Sequence, residues 1–232
     1  MKRLIAGLLL ISAGYASAAE VSGNVALTTD YRFRGISQTD RDPAIQGGFD
    51  YAHDSGFYLG AWASNVAFGG SSEMDFYGGY AMDLSEDVNL DIGYLYYAYP
   101  ADGASPKLDY QEFYAKLGFY GATVGLNYSD DYFGGVGDFW YLSGDYSLPL
   151  GEKFSLDAHV AWNVFEDEEA FASFLVTSGN PGDDYIDYSI GVSTSAAGVD
   201  LSIAYVGTDV DDDDCSDKLC KGAAVFTVSK TL

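Results

Sequence analysis

The feature that most constrains this chain is a two-residue alternation of apolar and polar side chains, which begins near residue 20 and recurs to the C-terminus. From residue 21 the odd positions read Val21, Gly23, Val25, Leu27, Thr29, Tyr31 and Phe33. The even positions read Ser22, Asn24, Ala26, Thr28, Asp30, Arg32 and Arg34. A strand places such a series on two opposite faces, whereas a helix of 3.6 residues per turn would scatter it. The pattern returns at Val88, Leu90, Ile92, Tyr94, Tyr96 and at Phe154, Leu156, Ala158, Val160, Trp162, Val164. Twelve strand segments are predicted, near 21–33, 44–53, 57–65, 73–84, 88–99, 109–119, 122–129, 138–148, 153–164, 184–194, 199–207 and 222–232. In two of them, 57–65 and 109–119, the aromatics Tyr58, Trp62, Tyr110 and Tyr114 fall on the face assigned inward.

The connections alternate in length. Those around His53 to Gly56, Ser85 to Asp87, Tyr120 and Gly121, Pro149 to Glu152 and Ser195 to Gly198 are short. The others are mostly longer and polar, the longest running from Phe165 to Asp183. Short turns at one end and long loops at the other are the pattern of a transmembrane barrel, and a sandwich has no reason to segregate them. Pro43, Pro100, Pro106, Pro149 and Pro181 are all expected in loops or at strand starts, where a missing N–H breaks no ladder.

Alternation alone does not separate a soluble sandwich from a membrane barrel, since either has one apolar face. Export does help. The continuous apolar stretch Leu4 to Ile11 follows Lys2 and Arg3 and precedes Ala16, Ser17, Ala18 and Ala19, the layout of a cleavable signal peptide. Residues 1–19 are therefore expected to be a leader and residues 20–232 an all-β, up-and-down antiparallel barrel. No later segment reaches the 18 apolar residues of a spanning helix, although 48% of the chain is hydrophobic and 16% aromatic. Segments of about 9 to 12 residues match a tilted bilayer crossing. Tyr31, Phe33, Phe119, Trp140 and Trp162, near the ends of apolar faces, are expected in the interfacial girdles. The last strand alternates Phe226, Val228 and a terminal Leu232 with polar residues, similar to the insertion signal of outer-membrane proteins.

Eleven basic against 35 acidic residues give a formal charge of -24, which repels nucleic acid and anionic lipid head groups. Without the leader, which holds Lys2 and Arg3, the balance is 9 minus 35, or -26. In the register above, Asp30, Arg32, Asp50, Glu73, Asp75, Asp91, Glu112, Lys116, Asp145, Asp157, Asp187 and Asp200 face inward. Arg32 and Arg34 fall at the outer end of the first strand, at a height similar to Glu73, Glu112 and Asp187. They can form either a constriction with opposite charges across a pore or ordinary interior salt bridges. Twelve tilted strands give a backbone diameter of roughly 24 Å, enough for a narrow passage or for a plugged interior. An acidic low-dielectric wall concentrates cations, so a small-solute channel is expected to prefer them.

Cys215 and Cys220 are expected to form a local disulfide, the zinc alternative lacking ligands at the right spacing. The neighbouring run Asp209, Asp211, Asp212, Asp213, Asp214 and Asp217 reads as a solvated acidic loop, with a divalent bridge to lipopolysaccharide phosphates as the alternative. His53 lies in a predicted turn and His159 points inward with Ser155. Neither suits the lipid-facing nucleophile and base of an outer-membrane hydrolase, so no enzyme, resident metal or cofactor is expected.

The stretch VSGNVALTTDYRFRGISQTDRDPAIQGGFDYAHDSGFYLGAWASNVAF, followed by EMDFYGGY, resembles the TorF-type family of porin-like proteins of Gram-negative bacteria. WYLSGDYSLPLGEKFSLDAHVAW, DYSIGVSTSAAGVDLSIAYVGTD and the closing VFTVSKTL agree in order, so the resemblance spans nearly the whole chain after the leader. It implies an outer-membrane barrel of pore function and supplies no substrate and no catalytic residues. The expected setting is the outer membrane, both termini periplasmic. The expected partners are its lipid and lipopolysaccharide, the barrel-assembly machinery, and small polar or cationic solutes.

Overall fold

The computed structural model describes residues 20–100, 103, 107–175, 182–211, 213–215 and 219–232. The expected leader (1–19), Pro106, Pro181, Asp212 and Asp217 lie outside the described residues. Twelve strands form the wall: β1 (Glu20–Thr28), β4 (Ala44–Ala52), β5 (Phe57–Asn65), β6 (Ser72–Asp83), β7 (Val88–Ala98), β8 (Tyr110–Phe119), β9 (Ala122–Ser129), β10 (Phe139–Leu150), β11 (Phe154–Phe165), β12 (Asp184–Ala196), β13 (Val199–Thr208) and β14 (Ala223–Thr231). Each pairs antiparallel with its sequence neighbour in the wall, and β14 closes on β1 from Asn24 opposite Thr231 to Thr28 opposite Thr227. The hydrogen bond from Leu232 N–H to the Gly23 carbonyl, 2.8 Å, extends that seam. A second, two-stranded element, β2 (Arg32–Phe33) with β3 (Ile36–Ser37), lies between β1 and β4 in the chain. One helix, α1 (Glu168–Leu175), sits between β11 and β12.

The alternation sets the register. β10 and β11 pair over their whole lengths, from Phe139 opposite Phe165 to Leu150 opposite Phe154. A slip of one residue would turn Trp140, Leu142, Val160 and Trp162 inward and expose Asp145 and His159 outside. As built, Val21, Ile45, Phe49, Leu59, Phe76, Ile92, Leu126, Val160 and Ile203 are exposed on the outer surface. A continuous apolar belt of this kind exceeds what a soluble monomer presents to water, and a bilayer is the solvent that suits it. Phe119, Trp140 and Trp162 belong to that surface.

The short turns share one rim. Tyr120 and Gly121 have φ of 47° and 82°, and Ala197 and Gly198 have 54° and 80°, the left-handed pair that tight two-residue hairpins require. The longer connections share the other rim.

Three expectations need correcting. The first strand stops at Thr28 instead of continuing to Phe33, because residues 29–43 leave the wall and fold into the barrel. Tyr31 and Phe33 consequently belong to the interior and not to a girdle: Tyr31 bonds Glu73, and the Phe33 ring packs against Tyr97 at 5.6 Å. Pro149 is not in a loop; it is the penultimate residue of β10. Ser147 N–H, two residues earlier, points towards the Gly121 carbonyl at the end of β9. The Pro149 nitrogen faces the same side beyond that end, so no ladder bond is lost there.

Candidate functional site

The residues singled out for their charge come together inside the barrel, in two zones. The zone near the long-loop rim is filled by the β2–β3 hairpin. Its turn, Arg34–Gly35, has φ of 50° and 82°, and a Cβ at Gly35 would fall 2.5 Å from Thr208 Cγ2 and 2.8 Å from the Gly207 carbonyl oxygen. The hairpin therefore presses its turn directly onto β13. Ser37 N–H donates to the Leu219 carbonyl at 3.0 Å, and Ala67 N–H donates to the Gln38 carbonyl at 2.8 Å, tying the hairpin to two other loops. Within it, Asp30 accepts from Arg32 Nε at 2.8 Å and from Ser37 Oγ at 2.7 Å.

Arg34 reaches across the interior to the wall. Its Nη2 donates to Glu112 on β8 at 2.6 Å, and Glu112 also accepts from Asn127 at 2.8 Å and Tyr97 at 3.4 Å. The guanidinium lies 4.3 Å from the ring centre of Tyr141, 4.7 Å from Phe139 and from Phe33, and 5.5 Å from Tyr132. Ring faces attract a cation electrostatically, so the site is an aromatic box with a carboxylate on one side. Burial by itself would lower the pKa of Arg34, but the Glu112 charge outweighs it and holds the guanidinium above its ordinary value. Tyr185 donates its hydroxyl to the Arg34 carbonyl at 3.2 Å.

Around this pair is an aromatic core. Tyr132 and Phe139 stack at 3.9 Å, Tyr97 and Tyr110 at 4.2 Å, and Phe171 of α1 stacks on Tyr185 at 5.3 Å. The Cys215–Cys220 disulfide is present, and both sulfur residues are buried in the same cluster. Glu73 is placed here too, accepting from Tyr31 at 2.8 Å and Tyr99 at 3.1 Å. Glu73, Glu112, Asn163 and Asp187 are all within 2% of complete burial, so solvent does not reach this layer.

Nearer the short-turn rim the interior is polar and wetter. Asp50 accepts from Tyr77 and from Asn24, whereas Asp75 belongs with Glu73 to the long-loop layer, opposite Tyr97, and is buried there with one carboxylate oxygen unpartnered. Asp91 stands opposite Lys116 in the register and accepts from Tyr58 at 2.5 Å; Tyr58 and Tyr114 share a short hydrogen bond. The Lys116 ammonium lies 4.9 Å from the Tyr114 ring centre. His159 joins two carboxylates, Asp145 at 2.7 Å through Nδ1 and Asp187 at 2.9 Å through Nε2, with the Tyr141 hydroxyl 3.1 Å from that same Nε2. Asp157 accepts from Ser147 at 2.7 Å and Ser193 at 2.6 Å, and Asp200 from Ser195 at 2.5 Å. Most of these carboxylates are thus held by neutral donors. Among the charged side chains that do pair with acids are Arg32 and Arg34, with His159 when protonated.

Of the acidic run, Asp209, Asp211 and Asp214 lie at the long-loop rim, where they line a cavity of about 210 Å³ with Phe171, Asp184 and Tyr185. Among the described residues no group of three or more His, Cys, Asp or Glu side chains is arranged to hold a metal ion.

Two parts of the site were missed at the level of sequence. The aromatic box was legible in principle, since Phe139 and Tyr141 share the parity of Ser143 and Asp145, the inward face of β10. Large rings on the polar parity of a strand mark a filled interior. The role of His159 as a bridge between Asp145 and Asp187 had no such signal, because it depends on the stagger of three strands.

A closed antiparallel barrel with an apolar exterior and a charged interior defines the class: this is a β-barrel of the outer-membrane architecture. Within that class the chain belongs to the Gcw_chp family, bacterial proteins of unknown function, whose family model matches residues 12–232. No curated protein matches it in sequence. Among solved structures it is similar to the KdgM porin, with a TM-score of 0.56 at 8% identity over 91% of this chain and 98% of that one. It is similar also to the NanC porin, with a TM-score of 0.55 at 10% identity over 90% and 98%. At such identities the likeness is one of fold.

Proposed function

We propose that this chain is an outer-membrane porin of the TorF type that its motifs resemble, a passive channel for small polar solutes with a preference for cations. The observation that carries the reading is the chemistry of the lumen: Asp50, Asp91, Asp157 and Asp200 face inward and take their hydrogen bonds from tyrosine, asparagine and serine, which leave the negative charge in place. Carboxylates held by neutral donors still set the sign of the field for an ion in a narrow low-dielectric passage. In this reading residues 1–19 direct export, residues 20–232 insert through the barrel-assembly machinery, and both termini face the periplasm. The long loops then face outward among lipopolysaccharide. The barrel acts as a conduit and not as a hydrolase, its inward histidine being engaged by two carboxylates and a tyrosine.

The test is a reversal-potential measurement on refolded protein in planar bilayers under a potassium chloride gradient at neutral pH. Cation preference is expected, and anion preference overturns the reading. A second reading, a plugged barrel serving structure or adhesion, is favoured by the complete burial of the Glu112 and Asn163 layer. Absence of conductance at every applied voltage, in protein that inserts and folds, would select it.

A further inference from the structure

The Arg34 box is built like a receptor whose ligand happens to be attached. Tyr132 sits on the β9–β10 connection, Phe139 and Tyr141 on β10, and Glu112 on β8, so the receptor is supplied by the wall and its loops. Only Arg34 and Phe33 come from the hairpin. Glu112 is oriented independently of Arg34 by Asn127 and Tyr97, so its carboxylate is aimed into the box whether or not the hairpin is docked. Three ring faces around a desolvated carboxylate form a site for a flat, delocalised cation, which tolerates loss of water better than an ammonium ion does.

The attached ligand fits imperfectly. Arg34 is a non-glycine residue at φ 50°, in the left-handed region, and its Nη1 is buried with no hydrogen-bond partner. A free guanidinium group has neither the backbone constraint nor the fixed angle of approach. The box also borders the more exposed zone. Tyr141, one wall of the box, is only partly buried, and its hydroxyl meets His159, which in turn meets Asp145, half-exposed in the lower lumen.

We propose that the box formed by Glu112, Tyr132, Phe139 and Tyr141 is a binding site for solutes bearing a guanidinium group, and that the Arg34 side chain occupies it as a tethered stand-in while the lumen is closed. The proposal deepens the channel reading and rests on it for its physiological meaning: a guanidinium solute competes with Arg34 and frees the hairpin. Binding itself does not depend on conduction, so the two readings fail separately.

The experiment uses the full-length barrel refolded in detergent, with methylguanidinium as the probe and sodium at equal ionic strength as the control. In Arg34→Ala the box is vacated. Methylguanidinium is expected to raise the unfolding midpoint of this variant by a few degrees in a saturable way, through binding to the folded state alone. The same addition is expected to leave the wild type unmoved at those concentrations. The double variant Arg34→Ala, Glu112→Gln is expected to lose the response. Should Arg34→Ala fail to fold, Arg34→Gln serves, and recovery of folded barrel on refolding with methylguanidinium is then the readout. An equal response of wild type and variant, or no response in either variant, overturns the proposal. So does a response that survives Glu112→Gln.

Discussion

Arg34 and Glu112 are 78 positions apart in the chain and 2.6 Å apart in space, with side chains 4% and 0% exposed. The pair joins a loop that has left the wall to the strand on the far side of the lumen. A buried ion pair adds little net stability over a well-packed apolar pair, but removing one partner strands the other charge without solvent. Glu112→Ala is therefore expected to destabilise the folded protein by about 3–5 kcal/mol. Chemical denaturation from lipid vesicles, read by tyrosine and tryptophan fluorescence, measures it, and a loss below 1 kcal/mol would mean that the pair is not closed in the membrane.

Gly35 supplies the second half of the hairpin turn at φ 82°, against Thr208 and Gly207. A Cβ there meets both unfavourable backbone geometry, at about 1–2 kcal/mol, and atoms too close to accept it. Gly35→Ala is expected to undock the hairpin while the wall stays folded. Limited proteolysis of refolded protein should then cut between residues 29 and 43, where the wild type resists.

The Cys215–Cys220 bridge closes a short segment beside the hairpin, whose Ser37 N–H bonds the Leu219 carbonyl. Loop-closure entropy for so short a segment is worth about 2 kcal/mol. Reduction, or Cys215→Ser with Cys220→Ser, is expected to lower stability by that order and to increase protease access to the hairpin more than to the wall strands. Mass-spectrometric mapping of the cleavage sites distinguishes the two.

Two neighbouring substitutions on either side of the β9 wall should behave oppositely. Leu126 faces the apolar exterior, and Leu126→Arg is expected to cost about 2–4 kcal/mol near the bilayer midplane. Thr123 faces inward, opposite Asp145 in the register, and Thr123→Lys is expected to cost less than about 1 kcal/mol. Folded fractions from heat-dependent electrophoretic mobility report both.

If the lumen conducts, Asp145→Asn removes a half-exposed carboxylate from the lower zone and leaves the hydrogen bond to His159 possible. Cation preference is expected to fall, seen as a reversal potential nearer zero; an unchanged potential would place Asp145 off the ion path.

The wall was readable because a period of two carries both the strand and its register: β4, β5, β8 and β9 begin and end within about a residue of where Ala44, Phe57, Phe119 and Ser129 place them in the sequence. The same period misled at Tyr31 and Phe33. Apolar side chains at odd positions look alike whether lipid or protein covers them, and here they are covered by Trp62 and Tyr97 inside the barrel. The helix α1 was also unread within the long connection after Phe165. Its signals were local: Asp167 caps it by accepting from Ala170 N–H at 2.9 Å, and Glu168 and Glu169 occupy its first turn. The partners of Glu112 and Asp187 were unreadable, since strand tilt and stagger decide which inward side chains share a height.

The hairpin begins and ends on strands that are already neighbours, with Thr28 directly opposite Ala44. The strand-to-strand ladder is therefore closed without the hairpin, with Thr29 at its root still bonding Phe226 of β14. Wall and stopper are expected to behave as separable thermodynamic units, the hairpin leaving the lumen like a cork on a short string while the ring of strands stays closed. Hydrogen exchange should accordingly resolve two tiers of protection in one small protein, a fast tier in the hairpin and a slow tier around the ring of staves.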